Sequence, residues 1–232
     1  GQGNFYRPLL AASFMVDYGL SRPKSGEELS PFLFHLTNLC WHTAAALLLL
    51  ILLSRLGTPR PVRAIVPVIF LIHPLQTEAV TYISGRGDPM VATFLFAGLW
   101  FALLEGTLRA RIAGTVLSTV FFAAALLSKE SAAVYPLLLL VTLLGAPLKQ
   151  PNLALIRRYR GRIVTFCLAV ALAGMYLVLR LTVLNFAPGE PPQASPLLQR
   201  IMDAGKALAL YVRLLFVPTG LHMERSLEGV PG

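Results

Sequence analysis

Six apolar runs, each near the length of a membrane-crossing helix, are separated by loops that alternate between basic and acidic. A bilayer core about 30 Å thick needs about 20 helical residues, fewer where the bilayer thins or flanking side chains snorkel. The runs fall at residues 36–53, 63–80, 90–105, 112–128, 132–146 and 163–184, the third and fifth being short. They predict an all-α integral membrane protein, a polytopic helical bundle of about six transmembrane helices. A further apolar piece, residues 204–217, carries Lys206 and Arg213 and is closed by Pro218. This piece predicts an amphipathic C-terminal helix, lying in the membrane interface or partly inserted. Composition argues the same way: 56% of residues are hydrophobic and 13% charged, against roughly 25% charged in an average soluble domain.

Orientation follows from the loops. One set holds Arg55, Arg60 and Arg63, then Arg109 and Arg111, then Lys149, Arg157, Arg158, Arg160 and Arg162, with Glu105 as its only acid. The positive-inside rule makes these loops cytoplasmic. The opposite side receives residues 1–31, residues 73–89, the turn at 128–131 and everything after Leu184, and with them all the remaining acids of the eleven. Acids steer topology weakly, so their collection on the outer face needs another cause, a function or a solvated surface. The net charge of +9 would suggest nucleic acid if the cations shared one exposed face with interleaved aromatics. Dispersed in short loops, they fit anionic lipid headgroups, and no nucleic-acid partner is expected. Cys40 and Cys167 lie inside apolar segments near opposite faces, implying neither a disulfide nor a zinc site. The chain opens at Gly1 without an initiator methionine or secretory leader and stops in a Gly/Pro stretch, so it reads as a fragment cut at both ends. Four prolines in residues 188–196 predict an irregular outer loop.

Several polar residues sit where apolar sequence should be. His35, Asn38 and His42 are spaced i, i+3, i+7, one helical face that should look into the bundle, either as an interhelical hydrogen-bond seam or as a cavity wall. The second run ends in His73-Pro74, Glu78 and Gly85-Arg86-Gly87-Asp88-Pro89, an ionisable cluster at the membrane boundary. Asp88 before Pro89 suits a helix start as well as catalysis. Lys129 and Glu130 interrupt a long apolar stretch and demand partners, as a site or as a mutually paired turn. Arg180, near the end of the sixth run, either snorkels or joins Arg86 and Lys129 in a cationic group suited to a phosphate.

Taken in order, Tyr6-Arg7-Pro8-Leu9, Phe34-His35-Leu36-Thr37-Asn38 with His42, His73-Pro74 with Thr77-Glu78-Ala79-Val80, Gly85-Arg86-Gly87-Asp88, and Leu126-Leu127-Ser128-Lys129-Glu130 resemble the transmembrane and tetratricopeptide-repeat O-mannosyltransferases. The closing run from Tyr211 through Arg213, Pro218 and Glu224 to Ser226 is similar to the domain that follows in that family. The resemblance implies a GT-C fold and a membrane glycosyltransferase that moves a sugar, typically mannose, from a polyprenyl-phosphate donor to Ser or Thr hydroxyls of an acceptor protein. It divides the chain into a GT-C-like transmembrane domain over residues 1–184 and an outer loop, interfacial helix and domain start over 185–232, with tetratricopeptide repeats expected beyond 232. It assigns Lys129, Arg180 and Arg86 to donor phosphate, Asp88, Glu78 and Glu130 to the acidic side of catalysis, and Arg7, His35 and Asn38 to the pocket wall. The family's acidic motif lies ahead of the Tyr6-Arg7-Pro8 segment, so the main base is expected upstream of Gly1 and the fragment alone is expected to be inactive. No cofactor or metal is assigned; the partners implied are membrane lipid, the polyprenyl-phosphate sugar and acceptor protein. Abundant Ala, Leu, Arg, Gly and Pro point to a bacterial inner membrane with a periplasmic site, the endoplasmic reticulum being the eukaryotic equivalent. The competing classes are a polytopic transporter or lipid-phosphate flippase, and a non-catalytic membrane scaffold.

Overall fold

The computed structural model describes residues 6–21, 29–144, 153–183 and 197–218. Nine α-helices run through these residues, with 3₁₀ turns between some of them and no strand. They are α1 (Pro8–Leu20), α2 (Phe32–Arg55), α3 (Arg60–Ile72), α4 (Thr77–Thr81), α5 (Gly87–Ala102), α6 (Leu108–Ser128), α7 (Tyr135–Leu144), α8 (Leu153–Thr182) and α9 (Leu197–Phe216).

Helix ends follow local chemistry. Gly57, at φ +73°, ends α2: its N–H reaches the Ser54 carbonyl at 3.2 Å while the Thr58 N–H reaches Leu53 at 3.2 Å, the pairing of a Schellman cap. Thr107 caps α6 by accepting from the Ala110 N–H. The second apolar run is not one helix. Pro74 forces His73 out of the helical region to ψ 131°, so α3 stops there and the chain resumes at 47° through a 3₁₀ turn into α4.

Among the described residues, three helices are long and apolar enough to cross a membrane: α2, α6 and residues Tyr159–Thr182 of α8. The bent pair Arg60–Ile72 with Pro74–Thr81 makes a fourth if taken as one span. The third and fifth apolar runs form α5, of 16 residues, and α7, of 10 residues. The apolar side chains that point outward, among them Leu47 and Ile51 of α2, Val116 and Val120 of α6 and Leu177 and Val178 of α8, make the surface that a bilayer would cover.

Packing is centred on α5, ten of whose residues are buried. Lipid is as apolar as leucine, so helices associate by close packing and small residues. Gly114 of α6 lets the two helices touch, since a Cβ there would lie 2.6 Å from the Phe101 carbonyl. Gly98 does the same for the Tyr135 hydroxyl, which hydrogen-bonds Ser118 at 2.7 Å and stacks its ring on Phe122. Leu95, Leu99, Phe122, Leu126, Tyr135 and Leu139 form the core around these contacts.

The helices share two ends. Arg86, just before α5, contacts Phe34 at the start of α2, while Arg55 at the end of α2 donates to the Leu103 carbonyl beyond α5 at 2.8 and 3.2 Å. Thus α2 and α5 run in the same direction. Chain direction puts the starts of α6 and α8 with Arg55, where Thr115 and Thr165 meet at 3.0 Å, and their finishes with Arg86. Residues 1–31, expected as outer surface, contribute α1, a 13-residue helix with Asp17 buried. The interfacial piece expected at 204–217 belongs to the longer α9, which carries exposed Ile201, Leu208, Tyr211 and Phe216 and meets the bundle where the His73 Nε2–H donates to the Leu215 carbonyl at 3.0 Å. The proline-rich loop at 188–196 and the end of the closing motif, from residue 219, lie outside the described residues.

Candidate functional site

At the Arg86 end, a buried ionic centre holds three segments together. Gly85 makes it possible: a Cβ there would sit 2.7 Å from the Glu78 carbonyl, so glycine alone lets the 3₁₀ turn Ile83–Arg86 fold onto α4 and turn Arg86 inward. The Arg86 side chain is 0% exposed. Its Nε donates to Asn38 Oδ1 at 2.6 Å, Nη1 to Ser13 Oγ at 2.8 Å and Nη2 to the Phe34 carbonyl at 3.0 Å, and it forms an ion pair with Asp17. Phe14 lies 4.4 Å from the guanidinium carbon. Burial pushes the Arg86 guanidinium below its usual range, and Asp17 opposes that shift by hydrogen bond and charge. Thr37 donates to the other Asp17 oxygen at 2.9 Å, and the Asn38 amide donates to the Tyr82 carbonyl at 3.1 Å.

Beside this centre lies an accessible charged group. After Ser128 the backbone becomes extended at Lys129 (φ −160°, ψ 143°), so the next two side chains diverge. Lys129 Nζ donates to both carboxylate oxygens of Asp88 at 2.6 and 2.8 Å. Glu130 instead accepts two hydrogen bonds from Arg7, at 2.7 and 3.1 Å. The Lys129 stem lies over Gly87, where a Cβ would come 3.3 Å from its Cδ. The Arg7 guanidinium holds the Glu130 carboxyl below its usual range, and the charge of Arg180 acts in the same direction. Asp88 is 54% and Lys129 27% exposed, so a ligand can reach both.

Two ion pairs therefore meet where the beginnings of α1 and α5 and the end of α6 converge, near enough to Arg180 at the end of α8 for its charge to act on Glu130. Among the residues expected at the site, Arg7, Asp88, Lys129, Glu130 and Arg180 stand in this group. Arg86, expected at donor phosphate, is enclosed with its donors turned to protein acceptors. Asn38, expected to line a pocket, is buried as the clamp on the 82–83 backbone. His35 is half-buried on α2, and Glu78 is exposed on α4 without an ion-pair partner among the described residues. Lys129 and Glu130 do not pair with each other, and Asp88, rather than capping α5, lies in its first turn. His42 donates through Nε2 to the Leu71 carbonyl at 3.1 Å, which joins α2 to α3 as a seam. Sequence reading missed Asp17, although a lone acid in the apolar run Pro8–Leu20 was the available signal. No group of three or more His, Cys, Asp or Glu side chains among the described residues could hold a metal ion.

Fold and site together define an α-helical, membrane-associated protein whose accessible cations and carboxylates gather at one end of a bundle. Comparison with known proteins narrows that class. The chain is 32% identical over 127 residues to protein O-mannosyl-transferase TMTC3 of Mus musculus, which covers 54% of this chain and 13% of the relative. It is 29% identical over 116 residues to protein O-mannosyl-transferase TMTC1 of Homo sapiens, covering 50% and 12%. It is 30% identical over 97 residues to protein O-mannosyl-transferase F38B6.6 of Caenorhabditis elegans, covering 40% and 13%. About half of the chain is thus similar to proteins of the kind its motifs resemble, and the match spans about an eighth of their length. No family model matches, and no solved structure matches.

Proposed function

We propose that this chain is part of a membrane glycosyltransferase that moves a sugar, mannose in the reading the relatives' names support, from a polyprenyl-phosphate donor to Ser or Thr hydroxyls of protein. The arrangement proposed is a GT-C bundle of about six crossings, with the site on the face away from the basic loops. The observation that carries this reading is the accessible Lys129–Asp88 pair beside Arg7–Glu130 and Arg180.

Transfer forms a bond between the acceptor oxygen and the anomeric carbon and breaks the bond from that carbon to phosphate oxygen. The hydroxyl proton passes to a carboxylate, and the leaving phosphate gains negative charge that cations must stabilise. Lys129 and Arg180 are assigned to the phosphate. On donor binding Lys129 exchanges Asp88 for phosphate, which frees Asp88 to orient or help deprotonate the hydroxyl. Glu130, held by Arg7, sets the electrostatics beside it; Glu78, exposed on α4, stands at the same end. The principal base is assigned to the family's acidic motif ahead of Tyr6-Arg7-Pro8. Arg86 becomes a positioning residue, which fixes the start of α5 and hence Asp88.

The test is transfer of radiolabelled mannose from polyprenyl-phosphate mannose to protein by the full-length protein in vesicles. Lys129→Ala is expected to lower transfer by about 10² or more, the scale of losing one stabilising donor. Wild-type transfer with an unaffected Lys129→Ala variant would remove the phosphate assignment. Donor binding without transfer would indicate another sugar or acceptor, and no donor binding would favour transport or scaffolding.

A further inference from the structure

The opposite end of the bundle holds a cavity that the proposed reaction does not use. It lies between the first turns of α6 and the early part of α8, with a volume of about 560 Å³. Arg111 and Arg160 are among its lining residues, Gly161 forms part of one wall, and Ile112, Val116 and Val164 contribute apolar lining. Arg160 and Val164 are one turn apart on α8, as Ile112 and Val116 are on α6. On each helix, then, a cation precedes apolar side chains that lie further toward the bundle centre. Ile112 and Val116 are each 54% exposed, so the described residues leave these apolar walls open. From Arg111 to Ser128 the helix rises about 25 Å, which separates this cavity from Lys129 by most of a bilayer.

The geometry points to a binding site for one anionic glycerophospholipid of the leaflet at the basic-loop end. Its phosphate lies between Arg111 and Arg160, and an acyl chain runs along Ile112, Val116 and Val164. Charge complementarity and depth select this occupant. A guanidinium has five N–H donors and matches phosphate in a forked geometry, so it can take a phosphate while keeping other contacts. A soluble anion would leave the apolar walls uncovered, and a zwitterionic lipid brings a cation toward two arginines. Basic clefts between helices on the positively charged side suit anionic headgroups for these reasons.

The experiment uses the full-length protein, purified in detergent, stripped of lipid, and titrated with phosphatidylglycerol or phosphatidylcholine of identical chains; bound lipid is counted by native mass spectrometry. Wild type is expected to retain one phosphatidylglycerol with roughly thirty-fold preference, the contribution of two arginines at a charged surface. Arg111→Gln combined with Arg160→Gln abolishes the preference. Gly161→Phe removes the retained lipid without changing charge: a Cβ at Gly161 meets nothing within 4 Å, so the ring fills open space. Should the double variant fail to fold, Gly161→Phe decides alone, with its thermal unfolding as the folding control. Equal retention of both lipids by wild type, or a preference that survives either folded variant, overturns the site; the first outcome is what a further segment of the protein seated in the groove would give.

Discussion

Arg86 carries a charge into a place water does not reach, and it stays there because five protein groups surround it. Removing one partner of such a pair leaves the other buried and uncompensated, at about 3–5 kcal/mol. Arg86→Met is therefore expected to destabilise the protein by about that amount, measured as a drop in the unfolding temperature in detergent. Adding Asp17→Leu should recover much of the loss, because the orphaned carboxylate is gone. An Arg86→Met variant as stable as wild type would show that the centre holds nothing together. Asp17 was legible as an isolated acid in an apolar helix, but nothing in one dimension says that residue 17 meets residue 86. The spacing of His35, Asn38 and His42 did foretell a polar face, and Asn38 and His42 both use it to bind backbone carbonyls.

At the scale of elements, α5 comes from one of the two short apolar runs and is the most enclosed helix. A central helix needs neither the length nor the outward apolar surface that mark a lipid-facing one, so sequence length understates it. What admits it is small residues at contacts. Gly114→Ala should cost about 1–3 kcal/mol by overpacking against the Phe101 carbonyl, since backbone cannot move aside cheaply. Gly174→Ala, within α8 and with open space around the added methyl, should stabilise by about 0.5–1 kcal/mol through helix propensity alone. Thermal unfolding of the pair reads both signs. Equal effects would mean that propensity, not packing, governs these helices. The bend after Ile72 was also written locally, in His73-Pro74, although a hydropathy window runs across it.

For the whole molecule, the Arg7–Glu130 clasp ties α1 to the turn before α7. A carboxylate held below its usual range contributes stability above its unfolded value, about 4.3, and loses it as pH falls through the lower folded value. The margin by which wild type exceeds Glu130→Gln in thermal stability should therefore be constant near neutrality and shrink as the medium is acidified below about pH 4. Because Arg7 and Glu130 are partly exposed, solvent screens the pair and that margin is about 1 kcal/mol or less. A margin unchanged into strong acid would remove the clasp. Sequence alone determined the all-helical class, the apolar runs, the division of charge between loop sets and the motif resemblance, because each is written in composition or in short-range order. Tertiary structure alone decided that Lys129 takes Asp88 and Glu130 takes Arg7, that Arg86 is enclosed while Asp88 is reachable, and that α5 lies at the centre. Those are choices among groups 41 to 123 residues apart, which the packing of helices settles and local order cannot.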